Sequence, residues 1–520
     1  MADATRQAVG RALVNQESTP LSTPSRRPSS LRRARRSSAF QLLVLTLALS
    51  QSLATAHAAE TSLTIHTIYV APLNQNGSQN GKQGSPGDAI RSRLIARLKK
   101  TASLRIVDDA KSADAVLHGD AVIWPTSAVS MNPRSNSVIL RNYQGYLSVE
   151  LSDPSNRALW SYLVTPSRFR TEDIVDDLSD QISARLIQAV AKGFAASTPL
   201  PAAKSGLAVT LHAAGATFPA PLYSLWFRSF AQEPDGISIT YDAVGSVGGL
   251  EQLAAGKVDM AASDIPSQAD ATSSHPQVLH IPTVVGGVVP IYNLPGNSQG
   301  LNLTPQLLAD IFSGKVSKWS DPRIRQWNKA AYLHDADIAV VHRSDGSGTT
   351  YVWTSYLAQA SPDWKTKVGA SIDWPVGVGA AGNEGLATQV ARTPNSISYV
   401  ELTYAIQHHI TYAAVRNPAG HFIRADVESI AAAVAAHTLT GDDDLRSSTL
   451  NSPAKDAYPI GTFTWLLVPS SDTDLQKRAA EARFLHWMLT TGQKQCASLG
   501  YAPLPAQIVR EELQAVDTLK

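Results

Sequence analysis

The stretch AVVHRSDGSGTTYVWTSYL, residues 339–357, changes character twice within nineteen positions. It opens as a short β-branched run, loosens into Arg, Asp, Ser and Gly, and then becomes amphipathic. From Thr350 onward Val352, Trp353, Tyr356 and Leu357 recur one helical turn apart, so the segment reads as strand, loop and helix with one buried face. The polar loop is therefore a helix N-terminus, where unpaired N–H groups and the positive end of the peptide dipole favour an anion. Gly346 and Gly348 let the backbone approach a bound group closely. A single loop of this kind is equally an ordinary Ser/Thr helix cap.

Two further loops repeat the pattern. In HAAGATFPAPLYSLWFRSF (212–230), Gly215, Ala216, Thr217 and Phe218 precede a helix whose apolar face takes Leu222, Leu225, Trp226 and Phe230. Pro219 and Pro221 suit its first turn. In ISITYDAVGSVGGLEQLAAGKVDMAASD (237–264), a strand runs into Gly245-Ser246-Val247-Gly248-Gly249 and a short helix that Gly256 ends. Three small-residue loops, each carrying a hydroxyl and each opening a helix, point to a converging anion site, with three independent caps as the competing reading.

Composition sets the wider frame. The chain has 520 residues, 43% apolar and 17% charged, enough for two or three globular domains. Its formal charge of +2 is misleading, because residues 1–58 hold eight Arg against Asp3 and Glu17, leaving the remainder near −4. A basic patch on the folded part, which nucleic-acid binding requires, is not expected. The basic segment, an apolar run from Phe40 to Leu49, and Ala56-His57-Ala58 together have the form of a secretory signal cleaved after Ala58. The apolar run is too short to span a bilayer comfortably. Cys496 is the only cysteine and lies far from that site, so neither an intrachain disulfide nor a lipoprotein tether is expected, and the mature protein reads as soluble and periplasmic.

Residues 195–206, AASTPLPAAKSG, are rich in Ala, Pro and Ser without periodicity and read as a linker. Before them, residues 59–194 read as a small α+β domain of unassigned role. It comprises a strand LTIHTIYVAPL, a helix with Ile90, Leu94, Ile95 and Leu98 on one face, and further strands with a hairpin turning at Asp153-Pro154-Ser155-Asn156. A helix over DIVDDLSDQISARLIQAVAKGF closes it. Asp176-Asp177 reads as a solvated helix face. After the linker, residues 207–520 alternate strands and helices as an α/β domain does.

Other chemistries fit poorly. A Walker A loop needs Lys after its last Gly, whereas Thr349 and Thr350 follow Gly348; no G-x-S-x-G elbow or H-E-x-x-H occurs. His408 and His409 are adjacent and read as surface residues, and Asp442-Asp443-Asp444 as a solvated turn. No cofactor and no metal ligand set is expected.

AGATFPAPLYSLWF, AVGSVGGLEQLAAGKVDMAASD, VHRSDGSGTTYVWTSYL, GNEGLATQV, ISYVELTYA and YPIGTFTWLLVP with FLHWMLTTGQKQCASLGYAPLP together resemble the PstS family, the periplasmic phosphate-binding components of a phosphate ABC transporter. The resemblance covers residues 207–509 and does not include the small N-terminal domain, which is only vaguely similar to envelope modules such as those of TolB. It implies a two-lobed, type II-like periplasmic binding protein, with lobe 1 over about 207–285 and 458–520 and lobe 2 over about 286–457. It implies phosphate ligands at Thr217, Phe218 (through its N–H), Ser246, Asp264, Arg343, Ser347, Gly348 and Thr349, with Asp345 supporting Arg343. Asp264 would accept the proton of hydrogen phosphate, which sulfate lacks. The family often carries Ser or Gly where Val247 stands. The partners implied are phosphate and a membrane permease, with a possible envelope partner for the N-terminal domain and no nucleic acid. The competing functions are a phosphatase on the same fold and a phosphate-responsive envelope interaction protein.

Overall fold

A computed structural model describes residues 62–74, 86–130, 139–166, 173–195, 209–234, 236–266, 278–296, 300–365, 367–435, 449–470 and 474–519, with side chains at 125–130, 139–142 and 195 excepted. The expected signal segment, most of the linker and Asp442-Asp443-Asp444 lie outside these residues. The described residues fall within one compact unit, Thr61–Lys520.

The N-terminal part is built on strands β1 (Thr67–Val70), β2 (Arg105–Ile106), β3 (Ala115–Ser130), β4 (Ile139–Ser152) and β5 (Ala158–Val164), with helices α1 (Pro86–Leu98) and α2 (Ile174–Lys192). Its sheet runs β2-β1-β3-β4-β5, parallel for the first three strands and antiparallel thereafter. The two helices pack together because each repeats an apolar residue every four positions: Ile90, Leu94 and Leu98 on one, Leu178, Ile182 and Leu186 on the other, all fully buried. Asp176, expected on a solvated face, is partly exposed there and also ties the pair by accepting from Arg97 at 3.0 Å. The hairpin turn at 153–156 is present, closed by Asp153 and by Asn156 at positive φ, a conformation Asn tolerates.

The larger part follows with β6 (Thr210–Gly215), α3 (Ala220–Ala231), β7 (Ser238–Asp242), α4 (Ser246–Ala254), β8 (Met260–Ser263) and β9 (Val278–Asn293). Then come β10 (Ala339–Arg343), α5 (Gly348–Ala360), β11 (Val378–Ala380), α6 (Gly382–Arg392), β12 (Ser396–Glu401), α7 (Leu402–Gln407), α8 (Val427–Ala435), β13 (Gly461–Pro469) and α9 (Leu475–Thr490). A 3-10 segment, Gly492–Leu499, leads to a last helix, Ala506–Asp517.

The sheet order is β11-β10-β12-β9-β13-β8-β6-β7. Strand β9 joins its two halves: residues through Gly287 pair with β13, and residues from Val288 pair with β12. Its nearly unbroken apolar run, IPTVVGGVVPIY, is what a strand covered on both faces needs. Parallel pairings of β6 with β7 and β8, and of β10 with β11 and β12, send the carboxyl ends of β6, β7, β8 and β10 into the loops singled out in the sequence. Crevices outside the carboxyl ends of parallel strands are where open α/β sheets place ligands. Of the expected face of α3, Leu222, Trp226 and Phe230 are fully buried, while Leu225 is only partly so and borders the N-terminal part.

The N-terminal part packs against the larger one. Ser161 and Ser148 donate to the carbonyls of Lys494 and Ser498, each at 2.7 Å, and Arg185 donates to Glu428 of α8 at 2.5 Å. His409, expected as a plain surface residue, stacks on Trp124 with ring centroids 3.9 Å apart, and His408 pairs with Glu384 at 2.9 Å.

Candidate functional site

Thr217 follows β6, Ser246 opens α4, Asp264 follows β8, Arg343 ends β10, and Ser347, Gly348 and Thr349 open α5. All are buried, as is Phe218. The loops from the two halves of the sheet meet directly. The Val247 N–H donates to the Gly346 carbonyl at 3.3 Å, so this N–H is spent on closing the loops together, and its side chain packs on Gly346. Gly245 sits at φ 88 with its α-carbon facing the Gly346 carbonyl, a position where a side chain has neither a relaxed backbone nor room.

The hydroxyls are oriented by what donates to them. Ser246 Oγ accepts the N–H of Gly348 at 3.1 Å and that of Asp264 at 3.3 Å. Thr217 Oγ1 accepts the side-chain amide of Asn383 at 2.9 Å and its backbone N–H at 3.3 Å. A hydroxyl has two lone pairs and one proton, so both groups are left with only a proton to offer. Thr349 Oγ1 takes the other Asn383 amide proton at 3.3 Å, and Ser347 Oγ caps α5 by accepting from Thr350 N–H at 3.0 Å. The Gly348 N–H, expected to face a ligand, is directed at Ser246. A Cβ at Gly348 would lie 2.4 Å from Ser246 Oγ and 2.7 Å from Asp264 Oδ2, which is why glycine stands at this meeting point.

Charge is arranged around these donors. Arg343, with its side chain 1% exposed, is gripped by Asp345 through Nε at 2.7 Å and through Nη2, while its Nη1 is buried without a partner. Partial burial of Asp345 opposes ionisation, but the Arg343 hydrogen bonds and charge and the Gly382 N–H at 3.0 Å outweigh it and keep the carboxyl below its ordinary range. Asp264 has one oxygen, Oδ1, accepting from Thr464 at 2.7 Å and the other, Oδ2, buried and unpartnered. Burial pushes its pKa up to about 7, against the downward pull of Thr464 and the Arg343 charge. The site thus holds outward-directed protons, one anchored cation and one free acceptor. That suits an anion which itself carries a proton.

Several participants are not among the residues expected from sequence. Asn383 lies inside GNEGLATQV, but an Asn in the first turn of a helix reads as local capping. Thr464 sits in the alternation of β13 with no local mark. Tyr404 and Tyr501 donate to the carbonyls of Thr217 at 2.6 Å and Phe218 at 2.7 Å, and Tyr501 also reaches the fully buried Glu401 at 3.0 Å. Their aromatic rings read from sequence only as core.

Residues 200–491 match the PBP superfamily domain. The phosphate-binding protein PstS of Xylella fastidiosa is 40% identical over 318 residues, 61% of this chain and 87% of that protein. The protein of the same name from Pasteurella multocida is 38% identical over 307 residues, 58% of this chain and 89% of that one. That from Methanocaldococcus jannaschii is 36% identical over 337 residues, with coverage of 60% and 87%. The chain belongs to the PstS family of phosphate-binding proteins within the PBP superfamily.

Proposed function

We propose that this protein binds inorganic phosphate as hydrogen phosphate in the periplasm and delivers it to the membrane permease of an ABC importer. The single observation that carries the reading is Asp264: a buried carboxylate with one oxygen fixed by Thr464 and the other unpartnered, in a site where the Thr217 and Ser246 hydroxyls have only a proton to offer.

A phosphate leaving water must have its oxygens bonded again or desolvation defeats binding. The hydroxyl protons of Thr217, Ser246, Ser347 and Thr349, with the backbone N–H of Phe218, supply neutral donors, while the Gly348 N–H is spent on Ser246 Oγ. Arg343 supplies the full positive charge, aligned by Asp345. Asp264 Oδ2 accepts the proton of the bound dianion, while sulfate, fully ionised, meets like charge there. Donation from N–H groups onto both lone pairs of Thr217 and Ser246 leaves neither hydroxyl a free lone pair with which to attack phosphorus, which favours a receptor over a phosphatase.

The strand exchange on β9 between Gly287 and Val288 supports lobes divided near that point, with lobe 1 over about 207–285 and 458–520 and lobe 2 between. Hinge motion there would open and close the loops over the ion. The secretory-type N-terminus supports export with cleavage after Ala58. Among the described residues no helix is long and apolar enough to cross a membrane.

The test is calorimetric titration of phosphate-stripped protein with phosphate and with sulfate, on wild type and Asp264→Asn. Wild type should bind phosphate tightly and ignore sulfate, and the variant should admit sulfate. Absence of phosphate binding by folded wild type overturns the proposal.

A further inference from the structure

We infer that Asn383 is a positioning residue that fixes the direction of the Thr217 and Thr349 hydroxyl protons, and so makes both threonines donors to the anion; this rests on the phosphate reading above. Asn383 is fully buried in the first turn of α6. Its amide orientation is set by its surroundings, because the Glu401 N–H needs an acceptor and finds the Asn383 Oδ1 at 3.1 Å. The NH2 must therefore face the other way, where its two protons meet Thr217 Oγ1 and Thr349 Oγ1 at 2.9 and 3.3 Å. The Asn383 backbone N–H takes the second lone pair of Thr217.

The consequence is a one-way polarity. Thr217 has no acceptor capacity left, so Thr349 cannot spend its proton there; Thr349 keeps one lone pair, and the Asn383 bonds turn both hydroxyl protons away from the amide and toward a ligand. Thr217 comes from the loop after β6 and Thr349 from the start of α5, on opposite halves of the sheet. One amide thus orders donors from both sides. The ordering comes from the protein's own hydrogen bonds, and dipoles held in this way limit what must reorganise on binding.

The experiment is a coupling measurement by calorimetric phosphate titration on the full mature chain. Asn383→Ala should weaken phosphate binding roughly tenfold to thirtyfold, the worth of one or two ordinary hydrogen bonds. In a Thr217→Val/Thr349→Val background the same substitution should cost less than threefold, since the hydroxyls it orders are gone. A purely structural role would instead cost the same in both backgrounds, and that outcome overturns the inference. Asn383→Asp keeps an acceptor for Glu401 and guards against misfolding of the alanine variant. It should lose affinity by drawing the threonine protons toward itself, and that part of its loss should vanish in the valine background. Failure of wild type to bind phosphate overturns the functional reading and this inference with it, whereas phosphate binding without coupling overturns this inference alone.

Discussion

Replacing Asp264 by Asn should make the phosphate-free protein gain stability, relative to wild type, as pH rises. The Asp264 carboxyl has its pKa lifted from 3.8 in the ordinary state to about 7 by burial. A carboxyl raised on folding binds its proton more tightly in the native state. The penalty for ionising it is therefore absent below about pH 4, grows between pH 4 and 7, and is complete above. At about 1.4 kcal/mol per pH unit, the native state carries a cost of roughly 2 kcal/mol at pH 5 and about 4 kcal/mol at pH 8 from this group. The Asn side chain has no such cost and keeps an oxygen for Thr464, but its NH2 replaces the unpartnered Oδ2 at a price of about 1–3 kcal/mol that does not vary with pH. The variant-minus-wild-type difference in unfolding free energy should therefore rise by roughly 2–3 kcal/mol between pH 5 and pH 8, independent of the constant offset. Urea unfolding of both proteins, stripped of phosphate, at several pH values reads it directly. Taking the difference between the two proteins removes the slopes due to other buried carboxyls, such as Glu401, pushed up to about 8 by burial, and Glu512, pushed up to about 7. A difference that stays flat from pH 5 to pH 8 refutes the reasoning, because Asp264 would then be ionised in the native state without cost.

Arg343→Lys keeps the charge but loses the planar fork that Asp345 aligns, and phosphate affinity by calorimetry should fall on the order of 100-fold. Gly348→Ala places a methyl against Ser246 Oγ and Asp264 Oδ2 and should weaken phosphate binding on the order of 100-fold or more, with the overpacking costing about 1–3 kcal/mol in denaturant titration. Arg185→Ala removes the ion pair to Glu428 that links the N-terminal part to α8; both partners are partly exposed, so the loss in unfolding free energy should be at most about 1 kcal/mol and should shrink in high salt. Cys496 is fully buried, and burial pushes its thiol far above the ordinary range, so a chromogenic disulfide reagent should label it at the rate of unfolding and not before.

What could be read from the sequence and what could not divide along a physical line. The α/β class and the three loops were legible because their signals are local: a Gly or hydroxyl at a strand end, then apolar residues at helical spacing, as at Ser347 and Val352 to Leu357. The expected ligand set on those loops, and Asp345 as the partner of Arg343 two positions away, came with the family resemblance. Asn383 and Thr464 were not, since their roles depend on Thr217 and Asp264, which lie more than 160 residues away and are brought close only by the sheet order. The same holds for His409, whose ring stacks on Trp124 of a part that reads from sequence as separate. Polarity of a hydroxyl is a property of the groups around it, not of the residue. Thr217 and Ser246 are marked in sequence only as loop hydroxyls, and become obligate donors once N–H groups from other segments have taken their lone pairs. Loop chemistry can therefore nominate residues to hold an anion, but the residues that decide which way the site's protons point require the fold.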